Sequence, residues 1–199
     1  MLKLVTFLSL ISAVFAPTLN ADESRHGTRT LEIRAEYSGW FNLLDAADVD
    51  GDQQGGSHAS TAGTGSLGRF TSGGSSDLMP WDETSFCAID ASGNASGIEL
   101  YYNSFSAVQR LASGDLLYAR LASSPPSSLC FNFVDNTFTF EIYMDYFGGT
   151  GRFADANGQI RLMGGGLDFL DGSGSLYGEI DGEVHDVKLR RRLSRYKDE

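Results

Sequence analysis

Helical periodicity, basic charge and reactive side chains are all scarce in this chain. Fifteen Lys and Arg stand against 26 Asp and Glu, a formal net charge of −11. Phosphate contacts need a positive footprint, so the composition argues against nucleic-acid binding by the folded body. The three histidines, His26, His58 and His185, show no HExxH spacing, and no GxSxG nucleophile elbow occurs. The two cysteines, Cys87 and Cys130, form neither a CxxC pair nor part of a zinc cluster. These absences remove the common metalloprotease, serine hydrolase and dithiol redox readings.

Long apolar runs are also missing beyond the N-terminus. Lys3 precedes the apolar run Leu4–Phe15, and small residues follow. This pattern predicts a secretory signal peptide at residues 1–21, cleaved after Ala21, because the run is too short to span a bilayer comfortably. The expected location is therefore extracellular or periplasmic. In such an oxidising compartment Cys87 and Cys130 read as one structural disulfide. One barrel-sized domain is expected over residues 22–189, with a basic tail at 190–199.

What is present is alternation. Leu31, Ile33, Ala35 and Tyr37 alternate with Glu32, Arg34 and Glu36, so Thr30–Trp40 reads as a strand. Further strands are expected at Ile98–Tyr102, Asp115–Leu121, Thr137–Phe147, Gln159–Met163, Ser175–Asp181 and Glu183–Leu189. Between Asp45 and Gly97 the many Gly, Ser, Thr and Asp residues read as long loops around one strand near Gly65–Thr71. About eight short strands with Gly-rich turns favour an all-β, closed antiparallel barrel or a sandwich.

Several motifs carry candidate chemistry. Asp48, Asp50 and Asp52 start like a calcium loop, offering oxygen ligands at alternate positions. Gln53 and Ala59 depart from the EF-hand pattern, so a looser Ca2+ site and a solvated acidic turn both stand. Gly63–Gly68 and Gly149–Ala154 mimic a dinucleotide fingerprint, yet neither opens a helix in a βαβ setting. Tyr37, Glu141, Tyr143 and Asp145 are the candidate ligand-binding residues. If their strand face lines the barrel, desolvation raises a carboxyl pKa towards general-acid range. If the opposite face of Phe138, Phe140, Ile142, Met144 and Tyr146 points inward, the acids are solvated. Asn94-Ala95-Ser96 fits a glycosylation sequon. The tail, with Lys188, Arg190, Arg191, Arg192, Arg195 and Lys197, either folds onto the acidic surface or touches anionic lipid or polysaccharide.

The segment Phe147-Gly148-Gly149-Thr150-Gly151-Arg152-Phe153-Ala154-Asp155-Ala156-Asn157-Gly158 resembles the GGTGxFxxAxG signature of the allene oxide cyclase and dirigent barrel superfamily. The strands after it, Gly174–Gly182, look similar to the closing strands of that fold. The resemblance covers roughly the last third of the chain. It implies an eight-stranded calycin-like antiparallel barrel, an apolar cavity and a homotrimer. Plant cyclases of the superfamily convert an unstable fatty-acid epoxide, and dirigent proteins steer phenoxy-radical coupling. Both act largely by holding a reactive apolar substrate in one conformation. Catalytic residues do not carry over, because the signature residues build turns. Three functions are thus expected in order: a non-catalytic module for a small apolar or aromatic ligand, a cyclase-like or stereochemistry-directing protein, and a structural cell-envelope protein.

Overall fold

A computed structural model describes residues 27–44, 56–78 and 85–189. Ten strands fill them: β1 (Thr28–Leu44), β2 (Gly56–Gly65), β3 (Gly68–Leu78), β4 (Phe86–Ile89), β5 (Ala95–Leu111), β6 (Leu116–Leu121), β7 (Ser128–Asn132), β8 (Thr137–Gly149), β9 (Gly158–Leu167) and β10 (Ser173–Lys188). Two short 3-10 turns, Gly151–Phe153 and Phe169–Asp171, bracket β9. The signal peptide, the calcium-like loop with Asp48, Asp50 and Asp52, and the tail at 190–199 lie outside the described residues.

Hydrogen-bonded neighbours run β3-β2-β1-β10-β9-β8-β6-β5, and β3 pairs with β5 to close the ring. The first part of β5 pairs with β4 and β7, and its second part with β3 and β6. Hence β4 continues the line of β3, and β7 continues the line of β6. Ten strands make eight staves, and the chain is a closed antiparallel eight-stranded barrel. Closure leaves few unpaired strand edges, which period-two strands otherwise expose.

Alternation decides which side faces in. Ile33, Tyr37 and Phe41 of β1 are buried while Glu32, Arg34 and Glu36 are exposed. On β8, Phe138, Ile142, Met144 and Tyr146 are buried, so the aromatic and aliphatic face is the interior. Aromatic rings inside so small a barrel need room. They find it across the ladder, where Tyr37 faces Gly178, Phe41 faces Gly174, Phe70 faces Gly63, Phe138 faces Gly166 and Phe140 faces Gly164. A Cβ on Gly63 would lie 2.4 Å from Phe70 Cζ, and one on Gly166 would lie 2.4 Å from Phe138 Cζ. These glycines are therefore seats for rings, a role that strand glycines take where another group approaches closely.

Three expectations need correction. Residues 56–78 form the paired strands β2 and β3, and Gly65–Thr71 straddles the tight turn between them. Their Gly, Ser and Thr content hides the alternation from a hydrophobicity reading, but the ladder needs only backbone groups. Ser175–Asp181 and Glu183–Leu189 belong to one continuous strand, β10, bent where Gly182 adopts φ 144°. The hairpin partner of β6 is the C-terminal part of β5, which runs on to Leu111, well past Tyr102. Strand β7 was not expected, because Ser123 to Ser128 reads as a turn-rich break.

Candidate functional site

The barrel lumen holds a cavity of about 90 Å³. One end of the barrel is closed by the signature segment. Thr150 Oγ1 accepts the Leu116 amide at 2.9 Å, and the Thr150 amide donates to Leu116 O at 2.9 Å. Those bonds lash the β8–β9 connection to the start of β6. Gly151 at φ 58° leaves space that Asp115 Oδ1 fills, since a Cβ there would meet it at 2.1 Å. The Arg152 guanidinium lies over the Phe153 ring at 4.6 Å, and Arg152 Nε stands 3.5 Å from Asp115 Oδ2. Phe153 is wholly buried and Ala156 nearly so. The signature thus builds a plug, and both fingerprint-like segments are turns between strands: neither opens an α-helix.

The lining reaches the opposite end at Leu43, Ser57, Leu78 and Phe169. At that end the disulfide Cys87–Cys130, with Cα atoms 5.8 Å apart, ties β4 to β7 across the first part of β5. Strands β8, β9 and β10 present an apolar wall of Phe138, Phe140, Ile142, Met144, Ile160, Leu162, Leu176 and Ile180. The facing wall is more polar, with Ser57 and Thr61 from β2, Ser72 and Ser76 from β3, and Gln109 from β5. No carboxylate, imidazole, ammonium or guanidinium is among the lining residues.

Most polar groups of the lumen satisfy one another. The hydroxyls of Ser57 and Ser76 share a hydrogen bond of 2.7 Å. Tyr146 Oη donates to Gln109 Oε1 at 2.6 Å. Tyr37 Oη is buried and has no hydrogen-bond partner among the described residues. Burial pushes the phenols of Tyr37, Tyr102 and Tyr146 well above their ordinary range; nearby Tyr37 adds to the effect at Tyr102, and the Gln109 bond partly offsets it at Tyr146. All three are neutral phenols at physiological pH, so none supplies a ready general base. This lumen offers shape, apolar contact and hydrogen bonds.

The sequence candidates divide. Tyr37 lines the lumen. Glu141, Tyr143 and Asp145 stand on the outer face of β8 and do not line it, which corrects the interior reading of these acids. The physical reason is the register: the period-two repeat can bury only one face, and Ile142, Met144 and Tyr146 take it. Outside, Glu141 Oε1 accepts hydrogen bonds from Tyr143 Oη and from Arg161 Nε, the latter at 2.6 Å. Gln159 Nε2 donates to Asp145 Oδ1 at 3.0 Å. Among the described residues no group of His, Cys, Asp or Glu could hold a metal ion. The polar residues that sequence reasoning missed, Ser57, Thr61, Ser72, Ser76 and Gln109, lie in or beside the stretches read as loops. A period-two run of small residues was their only signal.

The outer cluster sets a pH expectation. The hydrogen bond from Tyr143, then that from Arg161, holds the Glu141 carboxyl below its ordinary 4.5. A group whose folded pKa is depressed stabilises the fold above its unfolded pKa and loses that contribution as pH falls through the folded value. Carbon NMR titration should therefore find the Glu141 midpoint below 4.5, and Arg161→Met should raise it. Equal midpoints in both proteins would show that the ion pair does not form in solution. Solvent exposure keeps the stability effect small.

Fold and site together define the class: a closed, eight-staved antiparallel barrel with an apolar, uncharged lumen, plugged at one end. No family model and no curated protein matches the sequence. Among solved structures, that of the pterocarpan synthase dirigent protein GePTS1 is similar over 90% of this chain and 100% of that one, at 11% sequence identity and a TM-score of 0.33. Likeness of that degree carries no functional argument, and the architecture stands on the strand order and register above.

Proposed function

We propose that this chain is a secreted, non-catalytic binding protein for a small, largely apolar ligand held in the barrel lumen. The observation that carries the reading is the lumen wall: aromatic and aliphatic on one side, hydroxyl-bearing on the other, and without an ionised group. Ligand sites of this kind are apolar with a few placed polar groups. The bonded cysteine pair supports an oxidising compartment. With Glu141 and Asp145 outside, the polar interior that would favour a cyclase-like enzyme is missing. The size of the cavity also constrains the ligand. About 90 Å³ is less than the ~150 Å³ apolar cavity that admits benzene. A five-membered ring is therefore the size to try first, and larger ligands need the rings of Phe105 or Phe140 to turn.

The test is an NMR titration with methylenecyclopentane, following the methyl groups of Ile142, Ile160 and Ile180. Saturable shifts with Kd near 1 mM are expected, about −4 kcal/mol. Ala119→Phe, which places a ring into the same space, should abolish them while the barrel stays folded. Methyl signals that remain fixed in the wild-type protein up to the solubility of the probe would overturn the proposal.

A further inference from the structure

The polar groups of the lumen are not equivalent. Ser57 is paired with Ser76 and Tyr146 with Gln109, so each of those hydroxyls already has a partner. Tyr37 Oη has none among the described residues, although the residue is only 7% exposed. A buried donor left unpaired costs about 1–3 kcal/mol. Buried polar groups are otherwise nearly always bonded, so an exception calls for a cause. Packing does not supply one, because phenylalanine would fill the same volume without the cost. The backbone instead makes room around the ring. Tyr37 is opposite Gly63 on one neighbouring strand and Gly178 on the other. A Cβ on Gly178 would come within 2.7 Å of Tyr37 Oη.

Building on the binding reading above, we propose that Tyr37 is the polar anchor of the lumen, donating its hydroxyl proton to an acceptor oxygen of the ligand. The ligand class narrows accordingly to a compact apolar body that carries a carbonyl or ether oxygen. The phenol is well suited to this role. Burial keeps it protonated, and the low dielectric of the lumen strengthens the bond it makes. An acceptor without its own donor is preferred, since a ligand hydroxyl would bring a further proton that needs a partner.

Two isosteric probes separate the anchor from the cavity: cyclopentanone, with an acceptor oxygen, and methylenecyclopentane, with a CH2 in its place. Affinities for both are measured by NMR titration on the wild type, Tyr37→Phe and Tyr146→Phe. Tyr37→Phe should weaken cyclopentanone about 5–10-fold, the scale of one hydrogen bond. It should leave methylenecyclopentane within about twofold and melt no lower than the wild type, because it removes an unpaired donor. Tyr146→Phe breaks a bond made within the protein, so it should lower the melting temperature while cyclopentanone affinity holds. If both probes bind the wild type and Tyr37→Phe changes neither, the anchor is wrong and the binding proposal survives. If neither probe binds the wild type, the binding proposal falls and the anchor falls with it.

Discussion

Phe153→Ala should destabilise the barrel by about 3–5 kcal/mol, among the larger effects available to one substitution here. Phe153 is fully buried at the end of the barrel, where the turn Gly151–Phe153 contacts β6, β8 and β10. Removing the ring leaves a hole that the backbone cannot close. Its neighbour Gly149 is already tight, since a Cβ there would lie 2.1 Å from Leu116 O and 3.1 Å from Phe153 Cβ. The Arg152 guanidinium would also lose the ring face over which it lies. Urea unfolding followed by far-UV circular dichroism measures the change. Phe153→Leu, which keeps most of the volume, should recover more than half of it. A loss below about 1 kcal/mol for the alanine variant would mean that the segment is a surface turn rather than a plug.

Removing the disulfide should have a comparable effect through the unfolded state. Cys87 and Cys130 are 43 residues apart, and cross-linking a loop of that length stabilises by about 4 kcal/mol in the chain-entropy model. For a protein of this size the double variant Cys87→Ser, Cys130→Ser should melt roughly 8–16 °C lower. The consequences should be uneven. Strand β4 is four residues long and lies at the end of the strand order, paired with β5 alone. Short strands held by one neighbour open first. Hydrogen exchange should therefore accelerate at 86–89 before it does in β1 or β10. A melting temperature within about 2 °C of the wild type would show that the bridge adds little beyond the ladder.

Legibility differed between the parts of the chain. Strands β1, β8, β9 and β10 were readable because their alternation pairs large apolar residues with charged ones, as in Ile33 and Tyr37 against Arg34 and Glu36. Strands β2 and β3 were not, because their inward positions carry Ser57, Ala59, Thr61, Gly63, Ser72 and Ser76. Those residues face a lumen already occupied by rings from other strands, and small side chains there leave the cavity open. The glycines opposite Tyr37, Phe41, Phe70, Phe138 and Phe140 were visible as a composition, and their purpose was not. Each is paired with its ring only when two distant segments meet in register.

The sequence by itself determined the all-β class, the cysteine pair as the single cross-link, and the two alternative faces of β8. Local alternation and residue chemistry suffice for these, because they act within a few residues. Tertiary structure decided which face of β8 looks inward, putting Glu141, Tyr143 and Asp145 outside. It also decided that the GGTG segment is a plug, and that Tyr37 alone among the lumen's resolved hydroxyl pairs and donors lacks a partner. Such outcomes depend on ring closure between β3 and β5 and on the register of every stave between them. Register is a property of pairs of strands, and no single strand carries it.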